Sequence, residues 1–168
     1  SSIAYRILLQ GATATPQIRD RALEAGYRPK LRFPEANAIA EAGVASAGID
    51  SSDGLARSLH WLGRMSRVGF IVDNLPTTEE VKQFGLVNKV DYVDLALYEG
   101  GEEYELIYAI NQDKWTAALD AVERVGGKLY RIGVATSDPQ MVLDLRNMAK
   151  RQIQDLGWRH FGGWSRPT

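Results

Sequence analysis

The 168-residue sequence contains no cysteine. Disulfides and thiolate metal sites are therefore excluded, and a cytosolic, cytoplasmic setting is the expectation. Charge of one sign is also lacking: 20 Lys and Arg stand against 21 Asp and Glu, a formal net charge of -1. That balance gives no electrostatic reason to expect a nucleic acid or an anionic membrane as the main partner. No apolar run approaches the roughly 20 residues of a membrane span, and no signal peptide is visible. His60 has no second histidine or cysteine at ligand spacing, so a satisfied surface or core role is expected rather than zinc. There is no P-loop, dinucleotide fingerprint or nucleophile elbow. No repeat, low-complexity tract or linker splits the chain. It does not begin with methionine, which suggests trimming or processing.

What is present fits one globular domain over residues 1–168. Hydrophobic residues make up 45% and charged residues 24%, enough to bury a core. Ile3, Ile7 and Leu8 have helical spacing, although an apolar strand fits them as well. Thr15-Pro16 looks like an N-cap followed by proline, with Gly26 as the stop. Pro34 and Gly43 bracket an alanine-rich helix. Val44 to Ile49 reads as a buried strand. The clearest helix follows: Leu55, Leu59, Leu62 and Met65 share one face, with Arg57, Ser58 and Arg64 away from it. Val68 to Val72 is a strand, Thr77 and Glu80 form a capping box, and Asp91 to Tyr98 is helical. Tyr104 to Ile110 alternates as a strand. Trp115, Leu119 and Val122 define a helix that Gly126-Gly127 ends. Lys128 to Ala135 and Met141 to Leu145 read as a hairpin turning at Ser137-Asp138-Pro139. A short polar helix precedes Gly157, and the glycine-rich tail 162–168 is loose. Strands and helices alternate without a strict βαβ repeat, so an α/β or α+β domain with a mixed sheet is expected.

Three segments can carry chemistry. Asp50-Ser51-Ser52-Asp53-Gly54-Leu55 places two carboxylates at the start of the best helix. Magnesium is commonly held by one or two carboxylates plus phosphates, and free helix N–H groups bind phosphate oxygens. Plain N-capping is the blander use of the same residues. Gly100-Gly101-Glu102-Glu103-Tyr104-Glu105 presents acids on a glycine turn; the blander use is a tight turn with solvated acids guarding an edge strand. Gly157-Trp158-Arg159-His160-Phe161 offers a ring that can stack on a heteroaromatic ligand, or an anchor that pins the chain end to the core.

In this order the three segments resemble thiamine-monophosphate kinase. That family carries Asp-x-Ser-Asp-Gly-Leu, then Gly-Gly-Glu-Asp-Tyr-Glu-Leu, and often ends in glycine-aromatic-x-His-Phe. Arg28-Pro29-Lys30-Leu31-Arg32 resembles the lead-in to the first motif, and Ile132-Gly133 resembles the family's Ile-Gly-Glu strand. Ser51, Glu103 and Arg67 depart from the usual apolar, aspartate and small residues. The resemblance spans about Ile7 to Phe161. It implies a three-layer α/β/α fold of the aminoimidazole ribonucleotide synthetase (PurM) C-terminal type. It also implies that this is the C-terminal domain of a two-domain enzyme whose N-terminal domain is absent here, carries most magnesium-binding aspartates and forms a homodimer.

Carried across, Asp50 and Asp53 would bind Mg2+, Ser52 would contact ATP, Glu102 would contact thiamine monophosphate, and Trp158 would stack on its ring. The implied reaction is in-line transfer of the ATP γ-phosphoryl group to form thiamine diphosphate, with the isolated chain inactive. The alternatives are another ATP-dependent enzyme of the superfamily and a non-catalytic nucleotide- or ligand-binding domain of it.

Overall fold

The computed structural model describes residues 2–101, 104–146, 148–159 and 163–164. In chain order the elements are α1 (Ser2–Gln10), α2 (Pro16–Tyr27), α3 (Phe33–Ala42), β1 (Ala45–Asp50), α4 (Leu55–Ser66), β2 (Gly69–Val72), α5 (Glu79–Asn88) and α6 (Tyr92–Tyr98). They continue with β3 (Leu106–Ile110), a 3-10 turn at Gln112–Lys114, α7 (Trp115–Arg124), β4 (Gly133–Thr136), β5 (Met141–Leu143), β6 (Arg151–Gln152), β7 (Trp158–Arg159) and β8 (Gly163–Trp164).

Strand alternation builds the layers. β1 and β3 pair antiparallel, Asp50 opposite Leu106 and Gly48 opposite Tyr108. On β3, Tyr108 and Ile110 turn toward Ile39 of α3 and Ala118 and Val122 of α7. Ile107, between them, turns toward the cluster of Ala56 and Leu59 on α4 and Val93 and Leu97 on α6. Successive side chains on a strand point to opposite faces, so the ribbon lies between two helical layers, the expected α/β/α arrangement. Val72, Met141 and Leu143 join the α4–α6 cluster from beyond and add a mixed four-stranded sheet, β4-β2-β5-β6. A separate cluster of Ile7, Ile18, Phe84 and Leu95 joins α1, α2 and α5 to α6.

The mixed sheet corrects the hairpin expected from Lys128 to Leu145. β2 lies between β4, antiparallel to it, and β5, parallel to it. The 137–140 turn passes over Gly69, where a Cβ would lie 2.1 Å from the Asp138 carbonyl oxygen. Only glycine admits that crossing.

Other expectations shift for local reasons. Thr15 caps α2, accepting from the Ile18 N–H at 3.3 Å, but the helix runs through Gly26, which packs close to Ala4. The N-cap of α5 is Thr78, one residue after the expected Thr77. β1 is largely exposed rather than buried, because it belongs to a two-stranded ribbon. β3 begins at Leu106, since Tyr104 takes a left-handed conformation with φ 53°. No helix precedes Gly157 among the described residues; β6 and an irregular stretch stand there. Gly163–Trp164 of the tail is not loose but pairs with β7.

The face of α4 also differs. Met65 is 80% exposed, whereas Arg57 and Ser58 are buried. Residues 153–157 cover that side of the helix: His60 Nε2 lies 2.8 Å from the Ile153 carbonyl oxygen, and Arg57 pairs with Asp155. The hydrogen bond gives His60 the satisfied role expected of it. Arg67, the departure from the usual small residue, closes α4 in the left-handed region at φ 57°. Among the described residues, no helix is long and apolar enough to cross a membrane.

Candidate functional site

The strand-to-helix turn after β1 is fixed from three directions. Its own closure is a hydrogen bond from the Gly54 N–H to the Ser51 carbonyl at 3.0 Å. The buried Ser58 hydroxyl reaches back from α4 to the Asp50 carbonyl at 2.8 Å and ties the strand end to the helix. From the residue just before β3, the Glu105 carbonyl accepts the Ser51 N–H at 2.9 Å; from β7, the Trp158 N–H donates to the Asp53 carbonyl at 3.0 Å.

Gly54 has φ 97°, and a Cβ there would lie 2.5 Å from the Gly100 carbonyl oxygen. The residue is thus required both by backbone conformation and by the approach of the glycine turn. The three segments singled out in the sequence meet at one corner of the fold.

The carboxylates do not cap the helix. The N-cap of α4 is Gly54, and no side chain supplies a capping hydrogen bond. Among the described residues, neither Asp50 nor Asp53 makes a side-chain hydrogen bond or ion pair. Asp50 is exposed; Asp53 and Ser52 are half-buried in the turn. The blander capping role therefore fails for this pair: among the described residues both carboxylates lack a partner, and the first-turn N–H groups of α4 have no side-chain acceptor.

A third acidic or imidazole ligand is not beside them, since the described residues contain no group of three or more His, Asp or Glu able to hold a metal. The donor set fits a magnesium ion that takes its remaining oxygens from phosphates and water.

Trp158 is 36% exposed, so part of its ring faces outward. Glu102, Glu103, His160 and Phe161 lie outside the described residues.

Sequence reasoning missed the charged residues that frame this corner. The buried Arg57 guanidinium sits beside Asp155, with an Nη1 to Oδ1 distance of 3.4 Å and a hydrogen bond from Nη2 to the Asp155 carbonyl at 3.3 Å. Its Nε has no hydrogen-bond partner among the described residues. Arg64 reaches the other Asp155 oxygen at 3.0 Å while its guanidinium lies 4.4 Å from the Trp61 ring centre. Arg6 grips Glu99, and Arg32 grips Glu105 and Glu35. Hydrogen bonding to these glutamates pushes both arginines above their ordinary pKa. No periodicity marks such pairs; only the basic stretch around Arg32 was a signal.

No family model matches the chain. The thiamine-monophosphate kinase of Synechococcus elongatus is 32% identical over 159 residues, which cover 92% of this chain and 46% of the relative. The crystal structure of thiamine-monophosphate kinase from Stenotrophomonas maltophilia superposes with a TM-score of 0.70 at 28% identity, over 85% of this chain and 45% of that one. A structure described as AaThiL complexed with AMPPCP and TMP shares the fold, with a TM-score of 0.70 at 21% identity over 85% of this chain and 43% of that one. The chain spans between about a third and a half of the length of the curated relatives it matches.

Proposed function

This chain is thiamine-monophosphate kinase-like over most of its length, and on that premise we propose that it is the C-terminal half of an ATP- and Mg2+-dependent kinase that converts thiamine monophosphate to thiamine diphosphate. The observation that carries the reading is the convergence of the three turns, through the Ser51–Glu105 and Asp53–Trp158 backbone hydrogen bonds, at two aspartates that are unpaired among the described residues.

Both reactants are anionic. Their repulsion must be neutralised before the attacking phosphate oxygen and the γ-phosphorus can meet, and no covalent nucleophile is needed. Magnesium, when bound, supplies that neutralisation. Asp50 and Asp53 would hold it, Ser52 and the first-turn N–H groups of α4 would bind phosphate oxygens, and Glu102 and Trp158 would orient the thiamine phosphate. The remaining metal ligands belong to a preceding domain, which also forms the homodimer. Among the described residues no larger group of acids or histidines forms, and Asp50 and Asp53 are too few to neutralise the transfer by themselves.

The test is an ATP-dependent assay of the full-length protein with thiamine monophosphate and magnesium, run beside the 168-residue chain. Turnover is expected from the full-length enzyme alone. Robust turnover by the purified chain would reject the divided site, and no turnover by either would reject the kinase.

A further inference from the structure

Glu99 and Glu105 are each gripped by an arginine from a distant part of the chain. Arg6 on α1 donates from Nε to Glu99 Oε2 at 2.6 Å and from Nη2 to Oε1 at 2.5 Å. Arg32, just before α3, donates from Nε to Glu105 Oε2 at 3.0 Å and from Nη2 to Oε1 at 2.6 Å. Its remaining Nη1 reaches Glu35 Oε1 at 3.3 Å. Each clamp is a two-pronged guanidinium–carboxylate pair, which fixes direction as well as distance.

Each clamp also acts on a residue adjoining the aspartate turn. Glu99 directly precedes Gly100, whose carbonyl faces Gly54, and the Glu105 carbonyl accepts the Ser51 N–H. The Arg32 and Glu105 side chains are 26% and 52% exposed, and exposed pairs of this kind add little to stability. Their geometry instead sets where the glycine turn lies. Their charge matters as well, because a bare glutamate beside a bound phosphate would repel it.

We propose that Arg6 and Arg32 are positioning residues for a phosphate-bearing ligand: they hold the glycine turn against the aspartate turn and neutralise Glu99 and Glu105 so that the corner admits an anion. The inference rests on the functional reading above.

Two measurements test it. In the full-length enzyme, Arg32→Gln should raise the KM for thiamine monophosphate about tenfold, with a thermal midpoint close to wild type. Adding Glu105→Gln should recover part of that loss, because the unpaired carboxylate is gone. In the 168-residue chain, Arg6→Gln and Arg32→Gln should each speed amide exchange across 99–105 and leave α7 unchanged. An unchanged KM with only a lowered thermal midpoint would show a plain brace and overturn the proposal. If wild-type enzyme does not turn over thiamine monophosphate, the functional reading falls and the anion-admitting role with it. Exchange still decides the positioning role: unchanged exchange in both variants overturns that.

Discussion

The Trp158 backbone N–H donates to the Asp53 carbonyl at 3.0 Å, so the C-terminal aromatic turn is fastened to the turn that carries the acidic pair. The bond uses only main-chain atoms. It therefore survives side-chain substitution at either residue, which makes both positions suitable for functional tests.

Asp50→Asn and Asp53→Asn should each raise the magnesium requirement of the full-length enzyme by about tenfold or more, since a neutral amide is a poor ligand for a hard cation. Among the described residues neither carboxylate has a partner to lose, so stability should change by no more than about 0.5 kcal/mol. Titration of activity against magnesium, with thermal melts alongside, checks both parts. An unaltered magnesium dependence in both variants rejects the metal assignment.

Trp158→Ala should raise the KM for thiamine monophosphate by about fivefold or more and leave that for ATP nearly unchanged, as expected for lost ring stacking worth about 1 kcal/mol. The exposure of Trp158 argues against a large stability loss. Equal effects on the two substrates would show that the ring does not discriminate between them.

Gly54→Ala should destabilise the chain by about 2 kcal/mol or more. An alanine must occupy φ 97°, and its Cβ would sit 2.5 Å from the Gly100 carbonyl oxygen. Denaturant midpoints measure the loss. A neutral result would mean that the glycine turn can retreat from α4.

Arg67→Gly should stabilise the chain by about 0.5–1 kcal/mol, because the residue closes α4 in the left-handed region at φ 57° and glycine has no Cβ penalty there. The same denaturant melts apply; a lower midpoint would contradict the cap geometry.

Asp73 accepts two hydrogen bonds from Arg131, at 2.7 and 2.8 Å, which hold its carboxyl below the ordinary value of 3.8. A lowered folded-state pKa adds stability above the unfolded value and loses it as pH falls through the folded one. Thermal midpoints of wild type should therefore drop on acidification below about pH 4 more steeply than those of Asp73→Asn. Parallel acid profiles would show that the pair contributes nothing.

The helices were legible wherever an apolar stripe met a cap: Thr15 before α2, Gly43 after α3, and Gly126 after α7, where φ is 75° and the Gly127 N–H returns to the Val122 carbonyl at 3.0 Å. Strand pairing was not legible in the same way. A turn signal at Ser137-Asp138-Pro139 between two apolar runs describes a hairpin equally well whether or not a third strand enters between them. Gly69 was the only local trace that β2 does so.

By itself, the sequence determined which segments carry acids, glycines and aromatic rings, and the family they resemble, because those properties reside in residue types and their spacing. Tertiary structure decided that Asp50 and Asp53 stay unpaired among the described residues, that Arg57 and Ser58 turn inward, and that Arg6 and Arg32 reach Glu99 and Glu105 on either side of the glycine turn. The inward turn of Arg57 and the reach of Arg6 and Arg32 depend on partners far along the chain: residues 153–157 laid over α4, a carboxylate at Glu99 and a carboxylate at Glu105. Local periodicity reports only which face of an element is apolar, whereas a hydrogen bond or ion pair forms only after packing has chosen the neighbour.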